Sequence, residues 1–127
     1  MNLLFIAAGG ALGALLRYGV SGWVYRFTSG DFPWGTIAVN LSGCFLIGFL
    51  WESAQRVTIS PEIRSLIFIG FLGAFTTFST FGLETVNLLR DGEIRQALNN
   101  ILLSNISGIA LVFAGLFASR AVFRLLE

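Results

Sequence analysis

Charges are so sparse in this chain that they divide it into four long apolar stretches, and that spacing decides its solvent before any detail of its fold. The stretches run over residues 3–25, 33–51, 65–89 and 96–119, and the helices expected on them cover about 3–25, 33–52, 62–89 and 96–122. Each reaches the roughly 20 residues that a helix needs to cross the hydrocarbon core. Hydrophobic residues make up 55% and charged residues 12% of the chain, with a mean hydropathy of +0.80, far from the balance of a water-soluble domain. In lipid every backbone polar group must be satisfied internally, so apolar stretches of this length fold as helices. The expectation is an all-α membrane protein in which residues 1–127 form a single four-helix transmembrane domain.

The first stretch lacks the basic opening of a signal peptide, and its apolar run continues past Arg17 to Trp23 and Tyr25, so it reads as a span. Trp34 and Trp51 bracket the second stretch as interfacial aromatics do. Cys44 is the only cysteine, which forbids an intrachain disulfide, and histidine is absent from the sequence. With no histidine and few carboxylates, neither a transition-metal site nor a nucleophile–base pair can be assembled, which argues against an enzyme.

The cationic side chains are all arginines. With four spans, Arg56, Arg64, Arg120 and Arg124 fall on the side of the N-terminus, and Arg17, Arg26, Arg90 and Arg95 fall on the other. Orientation normally follows an excess of Lys and Arg on the cytoplasmic side. No excess exists here, so the chain can insert both ways up and pair as an antiparallel, dual-topology homodimer. A single orientation imposed by a partner or by weak local bias is the alternative. Four helices enclose too little to form a pore alone, and small residues supply contacts for assembly: Gly9 with Gly13, and Ala110, Ala114 and Ala118.

The third stretch carries "FLGAFTTFSTFG", a row of hydroxyls and phenylalanines in a chain built for lipid. Between Arg64 and Arg90 lie 25 residues, a helix of roughly 37 Å against a hydrocarbon core of about 30 Å. The middle of that interval is Thr77, so the hydroxyls sit at the bilayer midplane. Gly73, the β-branched Thr76, Thr77 and Thr80, and Ser79 all weaken helix there, predicting a third helix broken near residues 73–79. Unwound backbone at that depth must be buried or line a cavity. Its carbonyls suit a cation, and its N–H groups and hydroxyls suit an anion. An unbroken helix whose threonines bond the preceding turn is the alternative.

Other polar residues reach the same depth: Asn40 and Ser42 on the second stretch, and Ser104, Asn105 and Ser107 on the fourth. Singly they read as interhelical glue; together they suggest a polar path. No lysine or arginine lies near the midplane, so the path offers neutral donors. Phe75, Phe78 and Phe81 recur beside them, and the positive edge of an aromatic ring can help replace water around a small anion. Plain packing is the other reading of that spacing. Arg17 lies about nine residues inside Arg26, some 13 Å deep; it either faces a water-filled vestibule that draws in anions or snorkels to the headgroups.

Three motifs carry a resemblance: "GGALGALLRY", "GTIAVNLSG" and "GFLGAFTTFSTFGLE". Together they look like the Fluc (CrcB) family of fluoride channels, and the similarity spans nearly the whole chain, although the fourth stretch lacks a motif of its own. The resemblance implies a dual-topology homodimer in the bacterial cytoplasmic (inner) membrane, with two antiparallel pores that pass fluoride passively and relieve its toxicity. By it, Phe78 and Phe81 are the pore phenylalanines, Asn40 the pore asparagine, and Ser79, Thr80 and Glu84 a polar track beyond them. Arg17 matches the vestibule arginine. A structural sodium ion, not transported, is implied on the dimer axis, held by the backbone carbonyls of Gly73 and Thr76. The fourth-stretch residues Ser104, Asn105 and Ser107 join the pore by polarity only.

The residues alone do not separate fluoride from chloride. Two other classes remain open on them: a small dual-topology, proton-coupled drug exporter, for which Glu84 is the nearest carboxylate, and a non-transporting membrane assembly factor.

Overall fold

The computed structural model describes residues 2–126, and among these no strand occurs. Helix α1 covers Asn2–Tyr25 and α2 covers Trp34–Arg56. Helix α3 starts with Pro61–Arg64, widens into a π-helical segment at Ser65–Phe71 and finishes with Leu72–Phe75. After a gap of two residues, α4 covers Phe78–Arg90. Helix α5 starts with Ile94–Leu102, passes through a second π-helical segment at Leu103–Ser107 and continues as Gly108–Leu126. Because α3 and α4 together make one crossing, Pro61–Arg90, four spans long and apolar enough to cross a membrane are present among the described residues. The chain is a multi-pass membrane protein.

Local chemistry sets the ends. Pro61 takes the first position of α3, where its missing N–H costs nothing, and the Ser60 hydroxyl accepts from the Ile63 N–H at 3.3 Å. Between α4 and α5, Gly92 adopts a φ of 80°, a conformation that favours glycine, while the Glu93 N–H donates back to the Leu88 carbonyl at 2.8 Å. Helix α2 continues to Arg56, past the end expected at residue 52. Its last turn is polar, and Glu52 there pairs with Arg120 of α5 at 3.0 Å and with Arg56 at 3.5 Å.

The spans run alternately up and down, and they pack as two parallel pairs. Helix α1 lies along α3, with Gly9 against Leu66 and Gly13 against Phe71 and Phe75. Helix α2 lies along α5, with Gly48 against Val112, Gly115 against Phe45, and Ser53 bonded to Ser119 at 2.9 Å. In lipid no hydrophobic force drives these helices together, so close backbone approach through small residues supplies the van der Waals gain. A Cβ on Gly9 would fall on the Leu66 carbonyl oxygen, and one on Gly48 on the Val112 carbonyl oxygen.

This use of Gly9 and Gly13 corrects the expectation that they serve assembly. Both are buried within the chain against α3. The reason is that the π-helical turn of α3 brings its carbonyls outward, and only a glycine face on α1 leaves room for them. On α5 it is Gly108, Gly115 and Ser119 that are buried inside the chain, while Ala110 and Ala114 remain exposed.

Candidate functional site

The break consists of Thr76 and Thr77. Thr76 has φ −84° and ψ 156°, Thr77 has φ −146° and ψ 115°, so both are extended between two helical pieces that run in the same sense. What holds them out of the helix is side-chain chemistry. The Asn40 amide of α2 donates to the Thr77 carbonyl at 3.0 Å, and its oxygen accepts from the Thr77 N–H at 2.7 Å. One side chain thus pairs with both backbone groups of one residue, as a neighbouring strand would. The Thr77 hydroxyl caps α4, accepting from the Thr80 N–H at 3.3 Å, and donates to the Thr80 hydroxyl at 2.9 Å.

Two consequences follow for the backbone. The N–H groups of Phe78 and Ser79 open α4 with no helical acceptor and point its positive end at the break, a suitable place for an anion. On the other side, the carbonyls of Gly73 and Thr76 lose their helical donors. In an unbroken helix these would be the N–H groups of Thr77 and Thr80, which here go to Asn40 and to the Thr77 hydroxyl. A cavity of about 330 Å³ opens at this point, and its lining includes Asn40, Gly73, Thr76, Thr77 and Phe78. Thr76 sits against Gly43, where a Cβ would collide with its methyl group.

The phenylalanines flank the donors. Phe78 and Phe81 are 5.5 Å apart with planes inclined by 43°. Phe78 is 81% exposed, so its ring projects away from its own chain rather than into a core. One turn further along α4, the Glu84 carboxylate accepts from the Thr36 hydroxyl of α2 at 2.7 Å. Asn40, Thr77, Ser79, Thr80 and Glu84 therefore follow one face of the α2–α4 contact, with Ser79 exposed beside it.

Against this geometry the comparisons with known proteins are decisive. Residues 4–116 match the family described as CrcB-like protein, Camphor Resistance (CrcB). The chain belongs to the CrcB family. Among CrcB relatives, a protein of Salinibacter ruber is 50% identical over 91% of this chain and 86% of its own length. One from Parabacteroides distasonis is 41% identical over 100% of this chain and 99% of its own. A third, from Solidesulfovibrio magneticus, is 48% identical over 95% of this chain and 98% of its own. All three carry the name fluoride-specific ion channel FluC.

The remaining candidates on α5 of this CrcB chain lie apart from the break. Ser104 donates to the Asn100 side-chain oxygen at 3.2 Å, and the Asn100 amide donates to the Thr85 hydroxyl at 2.9 Å. Ser107 lines a separate cavity of about 570 Å³ together with Phe32, Trp34 and Gln96. Asn105 is exposed and its amide donates to the Ile101 carbonyl at 2.7 Å. Arg17 is half-buried, one turn beyond Gly13 on the face of α1 that meets α3.

Three polar residues of these side-chain networks are absent from the sequence reading: Thr36, Thr85 and Asn100. Asn100 is only 1% exposed, so its amide is a buried link between α4 and α5. The signal was there in the helical repeat. Thr36 stands one turn before Asn40, and Asn100 one turn before Ser104, each on the same face.

Proposed function

We propose that this chain is a fluoride-specific ion channel, exporting fluoride passively across the bacterial cytoplasmic membrane as an antiparallel homodimer with two pores. The observation that carries the reading is the broken midplane helix of a CrcB-family chain. There free N–H groups at the start of α4, the Ser79 and Thr80 hydroxyls and the rings of Phe78 and Phe81 lie within one turn that carries no fixed positive side chain. Neutral donors and ring edges can replace the hydration of a small anion while holding it weakly enough to let it leave. The relatives' name supplies the identity of the ion.

The residues of the pore then divide the work. Phe78 and Phe81 face the dehydrated ion; Ser79, Thr80 and Glu84 with its Thr36 partner continue the polar track; Arg17 draws anions to the vestibule. Ser104 and Ser107 offer hydroxyls from α5, and Asn105 an amide. The exposure of Phe78 and the balanced arginines support a second copy in the opposite orientation, which would cover that ring.

The backbone also fits a structural sodium ion on the dimer axis. Carbonyls of Gly73 and Thr76, deprived of their helical donors, are hard oxygen ligands of the kind an alkali cation takes. When bound, the ion would satisfy carbonyls that lipid cannot. Both oxygens are free of a helical donor, which supports their use as ligands.

Efflux from liposomes carrying the purified protein, followed with fluoride and chloride electrodes in parallel, tests the function. Fluoride release with chloride retained is expected; release of neither ion would return the polar row to helix glue and overturn the channel.

A further inference from the structure

We infer that Asn40 is a positioning residue for the cation site: it creates the Gly73 ligand by withdrawing the Thr77 N–H from the helix. The inference rests on the sodium reading above and goes beyond it, because it joins a residue of the anion path to the structural ion. Asn40 stands on a different helix from the carbonyls, and nothing in its own position points to a cation.

Two acceptors compete for one donor. The Thr77 N–H has one proton to give. In a continuous helix it would go to the Gly73 carbonyl; here it goes to the Asn40 oxygen at 2.7 Å. The same side chain returns a bond to the Thr77 carbonyl at 3.0 Å, so both ends of the amide are occupied by backbone. Asn40 can replace the helical bond without leaving Thr77 unsatisfied, which in hydrocarbon would cost several kcal/mol. An apolar side chain at this position can do neither, and a serine hydroxyl is too short to reach both groups. Gly43, one turn along α2, takes the displaced Thr76 methyl, so α2 is shaped to receive the extended pair. Thr77 does the parallel service for Thr76 by capping the Thr80 N–H. The two carbonyls of the cation site are thus freed by two different side chains, one of them belonging to α2.

Linkage follows. Sodium binds the broken state and Asn40 stabilises the broken state, so removing Asn40 must weaken sodium. Losing the paired amide in favour of a restored helical bond weakens it by about tenfold, the equivalent of one to two hydrogen bonds.

The test is thermal unfolding of the detergent-purified protein across a sodium titration, with N-methylglucamine replacing the cation, for wild type, Asn40→Leu and Ser42→Ala. Leucine keeps the branched shape and removes both bonds. Ser42 stands on the same helix as Asn40, but its hydroxyl donates to the Val39 carbonyl of that helix at 3.0 Å and frees neither carbonyl of the break. Wild type and Ser42→Ala are expected to share one sodium midpoint, with Asn40→Leu shifted upward about tenfold and its Thr77 amide exchanging as part of a continuous helix. A wild-type midpoint in Asn40→Leu overturns the inference and leaves the sodium reading standing. Indifference of the wild type to sodium overturns both. Should Asn40→Leu fail to assemble, Asn40→Ser, too short to reach both Thr77 groups, decides between the same outcomes.

Discussion

At the scale of single residues, the proposed pore relies on backbone groups given away to side chains and on ring edges offered in their place. Phe78 and Phe81 stand 5.5 Å apart at the start of α4, and only their edges carry the positive potential that an anion can use. Isoleucine keeps apolar bulk and loses that edge. Phe78→Ile and Phe81→Ile are each expected to slow fluoride efflux roughly threefold to tenfold, the equivalent of about 0.5–1.5 kcal/mol, with the dimer intact by size-exclusion chromatography. Unchanged flux in both would leave the rings as packing. Glu84 separates the channel from a proton-coupled exporter. Its carboxylate accepts from Thr36 at 2.7 Å, and a glutamine oxygen can accept the same bond. Glu84→Gln is expected to slow efflux by no more than about fivefold, near 1 kcal/mol, and wild-type efflux is expected to need no proton gradient. Efflux that vanishes without the gradient would instead mark Glu84 as a shared proton and substrate site.

At the scale of helices the break and the glycine contacts come from the same constraint, the absence of water to take up stray polar groups. The break was readable because glycine, β-branched residues and serine gather within a few positions of a span longer than the membrane, so local propensity and depth agree. The partners were harder to read. Asn40 reaches Thr77 across a sequence separation of 37 residues, and no periodicity within one helix reveals which residue of another stands opposite. Asn100 and Thr36 obey the helical repeat, yet each lies near the start of its helix, where polar residues also occur for reasons of solvation. Gly9 and Gly13 were misread as assembly contacts since small-residue spacing shows close approach without saying to what. Their true partner, the outward carbonyls of a π-helical turn, depends on backbone geometry that composition does not encode. Adding a methyl group tests it. Gly9→Ala and Gly48→Ala, which meet carbonyl oxygens, are expected to lower stability by about 1–3 kcal/mol, read as a fall in the unfolding midpoint. Gly10→Ala meets nothing within 4 Å and is expected to be neutral or slightly stabilising. Equal effects at Gly9 and Gly10 would count against the packing of α1 on α3.

At the scale of the whole molecule, the proposed antiparallel dimer requires that one chain insert both ways up. Arg56, Arg64, Arg120 and Arg124 are collected at one end of the bundle, where Glu52 pairs with Arg120 and Arg64 stacks on Trp51 and Phe68. Arg17, Arg26, Arg90 and Arg95 lie toward the other end, and the two sets balance. Arg120 at Glu52 is partly neutralised by a contact, while Arg26, Arg90 and Arg95 have no carboxylate within ion-pair distance among the described residues. Under the proposed dual topology such small differences are too weak to orient every copy, since the bias acts through the summed Lys and Arg of short loops. Two added positive charges should therefore decide orientation. Placed in the α2–α3 loop, at Val57 and Thr58, they are expected to fix that loop in the cytoplasm; placed in the α4–α5 turn, at Asp91 and Glu93, they are expected to reverse it. Either variant alone should yield few antiparallel dimers and little fluoride efflux, and co-expression of the two should restore both. Accessibility of terminal tags from each side of the membrane reports the orientation directly. Full efflux from one fixed orientation would show that the working assembly is parallel, and the exposed Phe78 ring would then need a different neighbour.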